Sequence, residues 1–125
     1  MIFFVIALGG ALGSVLRYSI GRVFQRLSAA GFPVGTLVVN VVGCVLVGAL
    51  TRYFMNDETS PLLRGALIVG FCGGFTTFSA FSLETVGLLY AGDWPKAGAY
   101  VASSLIACLA GTALGFSLAG GFMSV

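Results

Sequence analysis

Four long apolar stretches constrain the fold of this chain more than any other feature. They lie at approximately residues 2–25, 34–54, 62–90 and 97–122. Each reaches the roughly 20 residues that a helix needs to cross the hydrocarbon core of a bilayer. The short breaks between them contain Pro33, Pro61 and Pro95, which is typical of turns. We therefore predict an all-α integral membrane protein, a single domain over residues 1–125 with four transmembrane helices.

Charge and composition agree with a lipid environment and exclude several kinds of function. Only 8% of the residues are charged, against about 25% in soluble domains. The net charge of +2 comes without a basic run, so we expect no nucleic-acid partner. The sequence has no histidine, and its cysteines at 44, 72 and 108 form no CxxC pair. We therefore predict no enzyme activity, and we interpret the cysteines as small apolar packing residues.

Residues 70–84 (GFCGGFTTFSAFSLE) do not suit a helix that only faces lipid. Gly73 and Gly74 weaken the helix, hydroxyls and phenylalanines follow, and Glu84 is the only carboxylate within any apolar stretch. Interrupted backbone at membrane depth is tolerated where it is buried in protein or lines a cavity. We predict that the third helix is broken near its middle, at Gly73–Gly74, beside an ion or substrate site. Carbonyls freed at such a break suit a small cation such as sodium.

The residues after the predicted break form a mixed aromatic and polar stripe. Phe78, Phe81, Ser82 and Thr85 recur at helical spacing. A phenyl ring has a positive edge, so two rings placed edge-on favour an anion without a full charge that would trap it. Aromatic packing in the bundle core is the alternative, and the hydroxyls on the same stripe weigh against it.

Polar residues in the other stretches leave two interpretations open. Asn40 either joins two helices, the commoner role, or faces a polar path, because a buried amide needs partners. Arg17 either extends to the membrane surface or lines an aqueous vestibule. In the fourth stretch an i+4 series suggests a shared polar track, and it consists of Tyr100, Ser104, Cys108 and Thr112.

Small residues and basic residues bear on how the helices assemble. The pairs Gly9/Gly13 and Gly111/Gly115 are small-xxx-small pairs that allow close helix packing. One side of the membrane receives two arginines and the other three basic residues, a weak asymmetry for the positive-inside rule. Because four helices are also few to enclose a path, we predict a dimer of oppositely oriented subunits.

Three motifs resemble one known family, the Fluc/CrcB fluoride channels. They are residues 70–84, residues 35–40 (GTLVVN) and residues 10–18 (GALGSVLRY). The resemblance covers the whole chain and implies an antiparallel, dual-topology homodimer in the bacterial inner membrane that passively releases fluoride. It places the pore at Asn40, Phe78, Phe81, Ser82 and Thr112, with Ser79 and Glu84 as further members and Arg17 near the vestibule. It also implies a structural, non-transported sodium ion (Na+) held by the carbonyls of Gly73 and Thr76.

A small multidrug-type, proton-coupled transporter is the alternative with the same size and dual topology. Its coupling needs a carboxylate deep in the first helix, and residues 1–25 contain no Asp or Glu. A subunit that only docks a partner helix is a second alternative, and it leaves Asn40 and the aromatic stripe without a role.

Overall fold

The fold is a bundle of four apolar helical spans. The computed structural model describes residues 1–28, 31–55 and 60–121. The first span is Ile2–Leu27, the second Val34–Met55, the third Pro61–Tyr90 and the fourth Trp94–Gly121. All four are long and apolar enough to cross a membrane. The predictions of an all-α fold and of four long apolar helices are confirmed.

The fourth span begins at Trp94, three residues before the predicted start at residue 97. The Asp93 carboxylate accepts the backbone N–H of Lys96 at 3.2 Å and pairs with the Lys96 ammonium at 2.6 Å. These hydrogen bonds hold the pKa of the Asp93 carboxyl below its usual value. Asp93 therefore caps the helix, and Pro95 is tolerated because the first turn has no intrahelical acceptor for its missing N–H.

The third span is bent, and its backbone changes geometry along its length. A turn of α-helix, Pro61–Arg64, leads into a π-helical segment, Gly65–Cys72, and a short α-helical piece, Gly73–Phe75. Thr76 and Thr77 are extended, with φ/ψ of −81/157° and −150/108°, and the helix resumes at Phe78–Tyr90.

The break in this span lies at Thr76–Thr77, so its predicted position at Gly73–Gly74 was wrong. Both glycines remain helical. A Cβ built on Gly74 would overlap the Gly10 carbonyl oxygen of the first span. Gly74 thus serves close helix packing, while the extended conformation belongs to two β-branched residues.

Glycine contacts bring the spans together as two close pairs. Cβ atoms built on Gly9 and Gly13 would overlap the backbone of the third span. A Cβ on Gly115 would overlap the carbonyl oxygen of Val45, so the fourth span lies against the second in the same way. The predicted packing role of these small residues is therefore confirmed where the first span meets the third and where the second span meets the fourth.

Most apolar side chains point outward rather than into a core. Phe3, Leu8 and Leu109 are among many large apolar residues that are more than half exposed. The buried apolar core is small, and it consists of Val39, Phe54, Cys72, Phe75, Ala97 and Tyr100. An apolar exterior of this kind matches lipid, where backbone contacts between small residues replace a hydrophobic core.

Candidate functional site

Asn40 of the second span holds the break of the third span in place. Its amide nitrogen donates to the Thr77 carbonyl oxygen at 3.0 Å, and its side-chain oxygen accepts the Thr77 N–H at 2.7 Å. Thr77 is only 8% exposed, so both backbone groups would otherwise be buried without partners. Asn40 therefore joins the second span to the third, which is one of the two interpretations of this residue. The amide group has two hydrogens, and the second remains for another acceptor.

The same interactions divert two helical N–H groups from their usual acceptors. In an unbroken helix the Thr77 N–H would bond to the Gly73 carbonyl and the Ala80 N–H to the Thr76 carbonyl. The Thr77 N–H bonds to Asn40 instead, and the Ala80 N–H bonds to the Thr77 hydroxyl at 3.1 Å. The carbonyls of Gly73 and Thr76 thus both lack their i+4 donors.

A cavity of about 380 Å³ adjoins the break, between the second, third and fourth spans. It is here called the inner cavity. Its lining includes Asn40, Gly73, Thr76, Thr77, Phe78, Phe81, Ser104 and all three cysteines. The rings of Phe78 and Phe81 lie 5.4 Å apart at 46°. Ser104 is buried, and its hydroxyl has no hydrogen-bond partner within the described part of the chain. The lining of the inner cavity therefore includes a serine with an unpaired buried hydroxyl, an asparagine and two phenylalanine rings.

A larger cavity of about 870 Å³ lies on the other side of Thr77, and it is here called the outer cavity. Its polar lining includes Arg17, Arg22, Thr36, Ser79 and Glu84. The Glu84 carboxylate accepts hydrogen bonds from the Thr36 hydroxyl at 2.7 Å and from the fully buried Tyr100 hydroxyl at 2.6 Å. The carboxylate is therefore held by hydroxyls of the second and fourth spans, and a cationic side chain shares its cavity.

Thr77 separates the two cavities and lines both of them. A chain of aromatic contacts also runs between the two regions, because the Phe81 ring lies 5.2 Å from the Tyr100 ring. The Tyr100 hydroxyl in turn binds Glu84. The predicted residues Asn40, Gly73, Thr76, Phe78 and Phe81 thus meet in the inner cavity, and Arg17, Ser79 and Glu84 meet in the outer one.

Two of the predicted polar residues line neither of these two cavities. The Ser82 hydroxyl donates to the Phe78 carbonyl at 2.9 Å, and the Thr112 hydroxyl donates to the Cys108 carbonyl at 3.1 Å. Such back-bonding is common for hydroxyls in apolar helices. In this arrangement Ser82 and Thr112 present oxygen lone pairs rather than protons, and their place on an anion path stays a prediction.

Thr77 was missing from the predicted site although the structure places it at the centre. A helix-start signal was present in the sequence, because Thr is a favoured N-cap residue and a helical run follows it. Ser104 appeared only as one member of the polar series on the fourth helix. Its unpaired state depends on packing between spans, and the series alone does not distinguish it from its neighbours.

The fold and the two cavities define a class of protein. Four apolar spans contain two cavities between them, and the described lining of the inner cavity has uncharged polar groups with no acidic or basic side chain. These are features of a small multi-pass membrane protein with an ion or solute site between its helices.

Comparisons with known proteins identify the family within that class. A family model described as CrcB-like protein, Camphor Resistance (CrcB), matches residues 4–116. The chain is 48% identical over 103 residues to a Rhizobium etli protein named fluoride-specific ion channel FluC, covering 82% of each chain. Relatives of the same name from Opitutus terrae and Thermus thermophilus are 44% and 45% identical. They cover 99% and 94% of this chain and 96% and 94% of their own. The chain belongs to the CrcB family.

Membership of this family confirms three of the predictions. The resemblance to the Fluc/CrcB channels was correct. The family is one of ion channels rather than enzymes. Together with the four spans, it places the chain as a multi-pass protein in the bacterial inner membrane.

Proposed function

We propose that the chain is a passive, fluoride-selective channel that acts as a single domain and lowers cytoplasmic fluoride. The names of its relatives, which are fluoride-specific ion channels, support fluoride as the ion. Hydrogen fluoride crosses the membrane by diffusion and dissociates inside, and the negative interior then drives the anion out through the channel. No coupling group is needed for movement in this direction.

The observation that carries the proposal is the donor set of the inner cavity. Fluoride is small and tightly hydrated, so a narrow path has to replace its water with donors of similar strength. Ser104, whose hydroxyl is unpaired, and Asn40, whose amide keeps a second hydrogen, line the same cavity as Phe78 and Phe81. These moderate, uncharged sites permit exit as well as entry, as conduction requires.

The outer cavity serves as the vestibule of this path. The positive charge of Arg17 attracts anions to the outer cavity. Hydrogen bonds from Thr36 and Tyr100 reduce the repulsion between the Glu84 carboxylate and those anions. Thr77 lines both cavities, so an anion would pass this residue between the vestibule and the inner cavity. Ser79 lies beside this residue, with its hydroxyl 3.2 Å from that of Thr77.

An antiparallel homodimer completes the site. The Phe78 ring is 75% exposed although it lines a cavity at membrane depth, and Gly73 is exposed beside it. A second, oppositely oriented copy would cover this surface. The carbonyls of Gly73 and Thr76 lack their helical donors, and they are hard ligands that fit a sodium ion. Two carbonyls do not fill the coordination shell of an alkali cation, so the second copy supplies the remainder.

Flux from liposomes tests the proposed function. The purified protein is reconstituted into vesicles loaded with fluoride or chloride, a potassium ionophore is added, and an ion-selective electrode follows efflux. We expect rapid fluoride release and little chloride release. Protein-free vesicles and heat-denatured protein are the controls. Equal chloride release, or no fluoride release, would contradict the proposal.

A further inference from the structure

All three cysteines lie on the wall of the inner cavity, and the proposed fluoride path gives their thiols no role. Cys44 belongs to the second span, Cys72 to the third and Cys108 to the fourth. All are free thiols, Cys72 is buried, and Cys44 and Cys108 are partly exposed. Two accessible thiols therefore face the same space from adjacent helices.

The Cys44 and Cys108 side chains line the inner cavity from two helices that pack closely against each other. A Cβ built on Gly111 would lie 3.7 Å from the Cys44 Cβ and 3.3 Å from the Val41 carbonyl oxygen. Both thiols are thus carried on long, closely packed helices that face one cavity, and neither is carried by a flexible loop.

The number of ligands limits which metal ion this pair could bind. Structural zinc usually takes four ligands, and iron–sulfur clusters take four thiolates. The described residues contain no group of three or more His, Cys, Asp or Glu side chains suited to a metal. Two thiols suit a soft cation that accepts two-coordinate binding, of the class of Hg(II), Ag(I) and Cu(I), because soft ions prefer sulfur.

We propose that Cys44 and Cys108 form a two-coordinate binding site for a soft, thiophilic metal ion within the inner cavity. With mercuric chloride, two S–H bonds and two Hg–Cl bonds break, two S–Hg bonds form, and two protons and two chloride ions are released. Neither sulfur nor mercury changes oxidation state, so the step needs no oxidant or reductant. Because Asn40 and Phe81 line the same cavity, a metal ion held there obstructs the path. This last consequence rests on the proposed function.

Proton release measures bridging directly, without any flux assay. Reduced, purified protein in thiol-free, weakly buffered detergent receives less than one equivalent of mercuric chloride, and a pH-stat counts protons per metal ion. We expect two protons for the wild-type protein and for Cys72→Ser. Cys44→Ser and Cys108→Ser should each release only one, because the metal then keeps a chloride in place of the second thiolate. One proton from the wild-type protein, or two from either of these variants, overturns the proposal.

A parallel flux experiment separates this proposal from the proposed function. Fluoride efflux is measured before and after mercuric chloride, each variant relative to its own initial rate, and dithiothreitol is then added. We expect at least a tenfold, reversible loss in the wild-type protein and in Cys72→Ser. Two released protons with unchanged efflux would support the metal site and overturn the placement of the inner cavity on the fluoride path.

Discussion

Replacement of Asn40 by alanine tests whether this side chain maintains the break in the third span. The substitution removes both hydrogen bonds to Thr77, at 3.0 and 2.7 Å. Thr77 is buried, so its N–H and carbonyl both lose their partners. Each unsatisfied buried group costs about 1–3 kcal/mol, which gives about 2–6 kcal/mol for the pair. This is a large share of the roughly 5–15 kcal/mol by which native proteins are stable.

The chain can reduce that cost by closing the break. If the Thr77 N–H returns to the Gly73 carbonyl, the third span straightens and the carbonyl is no longer free. We therefore expect Asn40→Ala to lose fluoride flux even where some protein remains folded. Asn40→Asp retains an acceptor for the Thr77 N–H. It places an oxygen where the amide nitrogen now lies 3.0 Å from the Thr77 carbonyl, and its negative charge should also block the anion.

The assay combines thermal unfolding in detergent with efflux from liposomes. At about 4 °C per kcal/mol for a chain of this size, Asn40→Ala should lower the apparent unfolding temperature by at least about 8 °C. Ser19→Ala is the matched control, because the exposed Ser19 hydroxyl donates only to the Val15 carbonyl of its own helix. Its effect should stay within about 0.5 kcal/mol. Unfolding at the temperature of the control together with normal flux would refute a structural role for Asn40.

The packing of the spans, the cavities and the proposed cation site lead to five further predictions. Phe81→Ile removes a ring edge from the inner cavity, so fluoride efflux should fall at least tenfold while size-exclusion chromatography still gives the elution volume of the wild-type protein. Ser104→Ala removes the unpaired hydroxyl, so efflux should fall without loss of thermal stability, and a normal rate would remove Ser104 from the path. Gly115→Ala would overlap the Val45 carbonyl and should destabilise the protein by about 1–3 kcal/mol. Gly98→Ala, with open space around it, should be neutral or stabilising by up to about 1 kcal/mol in thermal unfolding. Exhaustive removal of sodium should reduce cross-linking of the proposed dimer, and equal cross-linking with and without sodium would count against the proposed cation site.

The helices and their close contacts were predictable because their signals are local. Apolar length determines whether a helix can cross a bilayer, and glycines four residues apart, such as Gly9 and Gly13, form a surface that admits another backbone. The start of the fourth helix at Trp94 was not predicted. A glycine–aspartate pair followed two residues later by a proline indicates a turn as well as a helix start. Here Asp93 acts as the cap, and the turn and the helix start are adjacent.

The centre of the site was less predictable because it depends on contacts between distant residues. Asn40 and Thr77 are 37 positions apart, and their pairing decides where the third span opens. The sequence does not determine the direction in which a hydroxyl donates. The resemblance placed Ser82 and Thr112 on the pore path and left Ser104 out of it, although Ser82 and Thr112 bond to their own backbone and Ser104 is unpaired.

The π-helical geometry of Gly65–Cys72 has a consequence for how the length of this span can vary. Gly65 meets the Ile2 side chain, and Gly70, five residues on, meets the Ile6 carbonyl oxygen. In an α-helix two residues five apart point about 140° away from each other. With i→i+5 hydrogen bonding they align on one face. If one residue between Gly65 and Gly70 were deleted, the two glycines would be four residues apart. They would then lie on the same face of an ordinary α-helix. We expect the span to tolerate that deletion better than a deletion elsewhere among its glycine contacts, and a scan of single-residue deletions scored by fluoride resistance would measure the difference.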